Sequence, residues 1–231
     1  MRPRLRLGLL LALLALPLWA TLDLNHDGVS DIWSALYPTA GAPEADPDGD
    51  GATNQAEALA GTDPAAATSR FVAVPQLDAS GNLVLRWSGV VGKRYRIEST
   101  TDLHNWTALP DEFTGNDADL TAIVRPVGST ANRLEFWRIA VADADADTDG
   151  LNDWEETQLG TNPAEADTDS DGLPDAWEVA HGLNPLVDDS AADPDHDGFT
   201  NAQEFAAGMN PTAKPLTGSA GLVALQIFSP R

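Results

Sequence analysis

The sequence predicts a mixed fold, a small antiparallel β-sandwich flanked by loop-rich modules that carry short helices. Three observations predict it. Residues 69–142 hold short runs rich in β-branched and aromatic residues, bounded by Gly, Asn, Asp or Pro. On either side, the pattern Asp-x-Asp/Asn-x-Asp-Gly recurs in five stretches. Four of those stretches lead into a short helical run closed by Gly and then by Pro, which prevents the helix from restarting.

Residues 1–20 read as a secretion signal: Arg2, Arg4 and Arg6 precede an apolar run over residues 7–16, and a cut after Ala20 leaves Thr21 as the first mature residue. The apolar run is shorter than the roughly 20 residues a spanning helix needs, so no membrane span is expected once the signal is removed. A secreted, cell-surface or periplasmic location follows. The chain has no cysteine, which excludes a disulfide framework and a lipid-bearing Cys near the cut.

Residues 21–68 form a module of two loops. The first runs Asp23, Asn25, Asp27, Val29, Asp31 and ends at Ser34; the second runs Asp46, Asp48, Asp50, Ala52, Asn54, Glu57. Residues 143–213 hold three more: Asp145, Asp147, Asp149, Leu151, Asp153, Glu156; Asp167, Asp169, Asp171, Leu173, Asp175, Glu178; and Asp193, Asp195, Asp197, Phe199, Asn201, Glu204. These are positions 1, 3, 5, 7, 9 and 12 of a twelve-residue loop. Calcium takes about 6 to 8 oxygens, and such a loop supplies them from side chains at 1, 3, 5 and 9, a backbone carbonyl at 7 and a Glu at 12. The spacing therefore predicts calcium at four firm sites and a weaker fifth at Asp23, where Ser34 brings no carboxylate. Gly at position 6 permits the positive φ of the turn, and Pro47 and Pro194 at position 2 limit the freedom lost when the carboxylates converge.

The charge agrees. The 231 residues carry 36 acids against 13 bases, a net charge of −23, and more than half of the acids fall on loop positions. Carboxylates about 4 Å apart repel by roughly 1 kcal/mol in water and several times more near protein, so the loops should open without a divalent ion. Such acidity excludes nucleic acid as a partner.

The helices after the loops, about two turns long, are too short to stand alone in water. Trp33, Trp154 and Trp177 sit beside the last ligand positions and are expected to pack as a miniature core. The first module aligns with the last two loops, residues 28–33 answering 172–177, which indicates a duplicated unit. Between the modules, strands are expected at 71–74, 83–87, 95–99, 120–124 and 134–141. Tyr95, Ile97 and Ser99 should face the core, with Arg94, Arg96 and Glu98 on the wet face. Residues 214–231 read as a linker and a C-terminal strand at 222–228 that needs a partner edge.

The loops resemble thrombospondin type 3 repeats and the related EF-hand-like calcium repeats of bacterial secreted proteins. The paired cysteines of the animal repeats are missing, so only the calcium chemistry carries over. Residues 92–106 and 136–139 resemble fibronectin type III-like domains of bacterial surface proteins. These resemblances imply a secreted, non-catalytic calcium-binding scaffold or adhesion protein, partnered by a cell-surface or matrix protein or a polysaccharide.

Two alternatives bind partners differently. The tandem loops at Asp145 and Asp167 resemble a dockerin, but Glu156 and Glu178 stand where dockerins usually carry Asp, and the residues after them lack the aliphatic and basic recognition patch. A carbohydrate-binding module would stack sugars on Trp87, Trp106 and Trp137, with Trp106 the best placed because it follows a turn. Catalysis is not expected and no catalytic residue is assigned. The clustered acids are accounted for as ligands, and His26, His104, His181 and His196 form no nucleophile or zinc constellation.

Overall fold

The computed structural model describes residues 21–129 and 134–214. The expected signal at 1–20 and the strand expected at 222–228 lie outside the described residues. Among the described residues, five helices and six strands follow in the order α1 Asp31–Leu36, α2 Asn54–Ala60, β1 Val74–Leu77, β2 Leu83–Ser88, β3 Lys93–Thr100, β4 Thr107–Thr114, β5 Asp119–Arg125, β6 Phe136–Asp143, α3 Asp153–Leu159, α4 Asp175–His181 and α5 Asn201–Ala207. No helix among the described residues is long and apolar enough to cross a membrane. The chain divides into two compact units at Ala166/Asp167.

The strands form two antiparallel sheets, ordered β1-β2-β5 and β4-β3-β6. Both sheets feed one apolar cluster: Leu85 and Trp87 of β2 and Ala122 of β5 on one side, Tyr95, Ile97, Trp137, Ile139 and Val141 of β3 and β6 on the other. Trp87 meets Phe113 edge-on at 5.2 Å, and Phe71 stacks on Tyr95 at 5.8 Å. Phe71 lies before β1, which begins at Val74 and is displaced from the expected 71–74.

β4 was not expected from the sequence. It is an edge strand with Pro110 inside it, and only Leu109 and Phe113 pack against the core. Its alternation is too sparse to read as a strand, and Pro is tolerated there because it sits on an edge.

Alternation in β3 holds for Tyr95 and Ile97, at 0% and 1% exposure, but not for Glu98, which is 8% exposed on the face expected to be wet. Glu98 is covered because Arg96 and Arg138 both close on it, at 3.0 and 2.6 Å. The guanidinium of Arg138 in turn lies 4.1 Å over the Trp106 ring. Trp87 and Trp137 belong to the core, so the three tryptophans make no stacking platform. One face of Trp106 is taken by Arg138.

The same unit contains three loops. Val29, Trp33, Ala40, Ala58 and Trp154 form a second apolar cluster joined by Tyr37 and Val90, so the expected miniature core exists for two of the three tryptophans. The sequence groups residues 143–213 together, yet the loop at Asp145 packs here, with the residues before it. The reason is local. Ala144 donates its N–H to Gly92 O at 2.9 Å, and Gly92 (φ 79°) passes so close to Trp154 that an added Cβ would lie 2.1 Å from its backbone nitrogen. Lys93, 1% exposed, binds Asp143 and the Ala58 carbonyl, tying β3 to α2.

In the second unit Trp177 packs edge-on against Phe205 at 5.2 Å and against His181 at 4.5 Å, so this tryptophan links α4 to α5 and is only half-buried.

Candidate metal centres

All five loops share one backbone. Position 6 is Gly at φ between 83° and 111°, and position 4 is also left-handed: His26, Gly49, Thr148, Ser170 and His196 have φ from 59° to 76°. The requirement at position 4 escaped the sequence reading. Its only signal is Gly49, since three residue types other than Gly accept the strain there.

At position 1, Asp46, Asp167 and Asp193 spend both carboxylate oxygens on the loop backbone, whereas position 3 of the four acidic loops, and position 5 in Asp50 and Asp197, fold the loop with one oxygen and hold back the other. Position 1 accepts the N–H of position 6, as Asp46 does from Gly51 at 3.0 Å, Asp167 from Gly172 at 2.8 Å and Asp193 from Gly198 at 3.1 Å. Position 3 accepts from position 5, as in Asp48 from Asp50 and Asp195 from Asp197 at 3.1 and 3.0 Å. Position 5 accepts from position 7, so Asp50, Asp149, Asp171 and Asp197 hold the N–H of Ala52, Leu151, Leu173 and Phe199. The Oδ2 atoms of Asp48, Asp50, Asp147, Asp169, Asp195 and Asp197 are buried with no hydrogen-bond partner.

In four loops these acids converge. Asp46, Asp48 and Asp50, Asp145, Asp147 and Asp149, Asp167, Asp169 and Asp171, and Asp193, Asp195 and Asp197 each place carboxylate oxygens within 4.8 Å of one another. Position 12 lies in the helix that follows, where Glu57, Glu156, Glu178 and Glu204 are all 0% exposed. Oε2 of Glu57 and both oxygens of Glu178 and Glu204 have no hydrogen-bond partner. A buried, unpaired carboxylate oxygen costs more than the roughly 1–3 kcal/mol of a neutral orphan, so these groups are fitted to a positive charge. The donor set is all oxygen, which suits a hard cation such as calcium.

Burial pushes the Glu178 carboxyl up to about 8, with Asp171, Asp169, Asp189 and Asp175 adding to the shift. Glu57 is raised to about 7 by burial and the three aspartates of its loop, against a lowering hydrogen bond from Thr62. Glu204 is raised for the same reason, burial first and then Asp195, Asp197 and Asp193.

At position 9, Asp153 and Asp175 do not join these groups of three acids. This position is the first residue of each helix, and its side chain fastens the loop entry. Asp31 Oδ2 accepts the Leu24 N–H at 2.7 Å, Asp153 Oδ1 the Ala146 N–H at 2.9 Å, and Asp175 both the N–H and the hydroxyl of Thr168. The Asn54 amide donates to the Ala40 and Ala42 carbonyls, and the Asn201 amide donates to Asp189. The two asparagines keep Oδ1 buried without a partner, so they retain an oxygen for an ion.

The Asp23 loop has the backbone without the charge. Asp23 accepts from Asp27 and Gly28, Asn25 from Asp27, and Asp27 from Val29, but this loop gathers no group of three acids and Ser34 stands in α1 at position 12.

Three segments match the family model described as "Bacterial TSP3 repeat": residues 46–67, 145–166 and 167–187. Each begins on the first aspartate of a loop, and the loops at Asp23 and Asp193 lie outside the matched residues. The chain therefore carries bacterial TSP3 repeats, which are calcium-binding repeats, and the structure shows their Asp-rich clusters. No curated protein matches. Two solved structures are similar at 14% identity and a TM-score of 0.22: "Biofilm associated protein - B domain", over 51% of this chain and 53% of that one, and "Biofilm associated protein - BSP domain", over 50% and 36%. The chain thus spans about half the length of the first and about a third of the second.

Proposed function

We propose that this chain is a secreted, non-catalytic calcium-binding scaffold of adhesion or spacer type, working at the cell surface, in the periplasm or in the medium. The loops at Asp46, Asp145, Asp167 and Asp193 each hold one structural calcium through positions 1, 3, 5 and 9, the carbonyl at 7 and the Glu at 12. The Asp23 loop holds a weaker fifth. The two-sheet region is a fibronectin type III-like domain, and the partner is a cell-surface or matrix protein or a polysaccharide.

One observation carries the calcium reading: the position-12 glutamates are shut off from water beside three aspartates, and Glu178 and Glu204 have no hydrogen-bond partner for either oxygen. Calcium supplies the countercharge there. The chain's own residues converge the oxygens, exclude water and, through the helix that carries the Glu, transmit ion binding to the packed tryptophans.

Calorimetric titration of calcium into the EDTA-stripped chain tests the reading. Four sites and a weaker fifth are expected, with dissociation constants of about 10⁻⁴ to 10⁻³ M, the range of extracellular modules. Absence of binding heat and of any rise in melting temperature at millimolar calcium would sink it.

A further inference from the structure

We propose that Asp189, which belongs to no loop position, is a ligand of the ion held by the Asp167 loop, and that it couples that loop to the one beginning at Asp193. The proposal rests on the calcium reading above and adds a residue outside the repeat.

Asp171, Glu178 and Asp189 each place a carboxylate oxygen within 4.8 Å of the others. Glu178 is 0% exposed and neither of its oxygens has a hydrogen-bond partner. At such distances like charges repel by roughly 1 kcal/mol in water and several times more near protein. The chain nevertheless holds Asp189 in place. Asp171 Oδ2 accepts the N–H groups of Asp189 and Ser190 at 3.0 and 2.9 Å, and the Asn201 amide donates to Asp189 O and Oδ1 at 3.0 and 2.8 Å. Four hydrogen bonds that bring a third carboxylate up to a buried, unpaired one make sense only around a cation.

The internal duplication gives an independent comparison. In the first module Asn54 stands where Asn201 stands in the last, and its amide donates to the Ala42 carbonyl 12 residues back, the same separation as from Asn201 to Asp189. The backbone bonds Asn54 N–H to Ala45 O, at 2.8 Å, and Asn201 N–H to Ala192 O, at 2.9 Å, confirm the register. Ala42 is thus the counterpart of Asp189, and Ser34 is the counterpart of Glu178. Where the loop lacks its Glu, the added acid is missing as well. Two changes remove the two carboxylates that face each other across one site, leaving the shared backbone intact.

The consequence is coupling. Calcium accepts about 6 to 8 oxygens, so a carboxylate from the linker takes a place that water otherwise fills, and the larger ligand charge tightens the site. Asp189 is also held by Asn201, the first residue of α5 and position 9 of the next loop. An ion that fixes Asp189 therefore fixes the start of that helix.

The test is calcium titration of the full chain with Asp189→Asn, which keeps the shape and the oxygen facing Asn201, combined with hydrogen exchange of residues 201–207 in calcium. One site should weaken roughly 10- to 100-fold, the span known for supporting groups at metal sites, and the α5 amides should exchange faster. A second variant works in the other direction: Ser34→Glu with Ala42→Asp should bind calcium at the Asp23 loop more tightly than Ser34→Glu alone. If Asp189→Asn titrates like the native chain while Glu178→Gln loses a site, the role of Asp189 is refuted and the calcium reading stands. If the native chain takes up no calcium, the calcium reading itself fails.

Discussion

Between the two sheets, the side chains removed from water are Trp87, Tyr95, Ile97, Trp137 and Val141; within the loops they are Glu57, Glu156, Glu178 and Glu204. The first interior is held by apolar burial, at roughly 25 cal/mol per Å², and its cluster contains no charged side chain. The second is a set of buried negative charges, partly bereft of partners, that opposes folding until a cation arrives. On the calcium reading proposed above, one chain combines a region stable by its own packing with regions whose order depends on the composition of the surrounding fluid.

Chelation should separate the two most widely. An ion that binds only the folded state stabilises it by about 1.4 kcal/mol when present at ten times its dissociation constant, and the second unit has two loops but few apolar contacts to replace that contribution. In EDTA the amides of α4 and α5 should lose hydrogen-exchange protection, while those of β2, β3 and β6 keep it. Equal protection in both regions, with and without calcium, would erase the distinction.

A smaller effect, opposite in sign with and without the ion, is expected from Glu204→Gln. In calcium it should weaken one site and lower the melting temperature. In EDTA it should raise stability by roughly 1–3 kcal/mol, because an uncompensated buried charge has been removed. Asp27→Asn, at the weaker fifth site, should lower the melting temperature in calcium by less than Glu204→Gln does and leave the value in EDTA nearly unchanged. Melting curves of both variants in the two buffers decide it, and a Glu204→Gln chain destabilised in EDTA would break the comparison.

The contrast was legible in the sequence to an uneven degree. The converging carboxylates at 1, 3 and 5 and the buried Glu at 12 could be read directly because the repeat holds residue type and spacing constant, and the Gly–Pro stops gave the helix ends at Gly61, Gly160, Gly182 and Gly208. Strands that alternate against the core, such as β3, were legible for the same reason. Edge strand β4 was not, since it buries too little to impose a pattern. Nor was the position of the Asp145 loop, which is settled by the approach of Gly92 to Trp154, two residues far apart in the chain. Asp189 was invisible because its hydrogen bonds to the neighbouring loop, rather than any repeat position, bring it to Asp171.

The finest comparison is between loops, and it concerns protons. Glu178 is raised from 4.5 to about 8 and Glu57 to about 7, in each case by burial first and neighbouring aspartates after. A carboxyl whose folded value lies above its unfolded value binds its proton more tightly in the folded chain. The metal-free protein therefore gains stability as pH falls from about 8 towards 4.5, and loses it as pH rises through the folded values. Calcium needs the carboxylate, so the ion must displace that proton and its affinity moves the other way, rising with pH across the same window. The Asp167 loop should approach its full affinity only above about pH 8, and the Asp46 loop above about pH 7. Calorimetry in buffers of different ionisation heat counts the protons released: more should leave the Asp167 loop than the Asp46 loop at pH 7.5, with Glu178→Gln and Glu57→Gln assigning each. Equal release from both would mean that the added acids around Glu178 do not set it apart, and that the loops differ only in sequence.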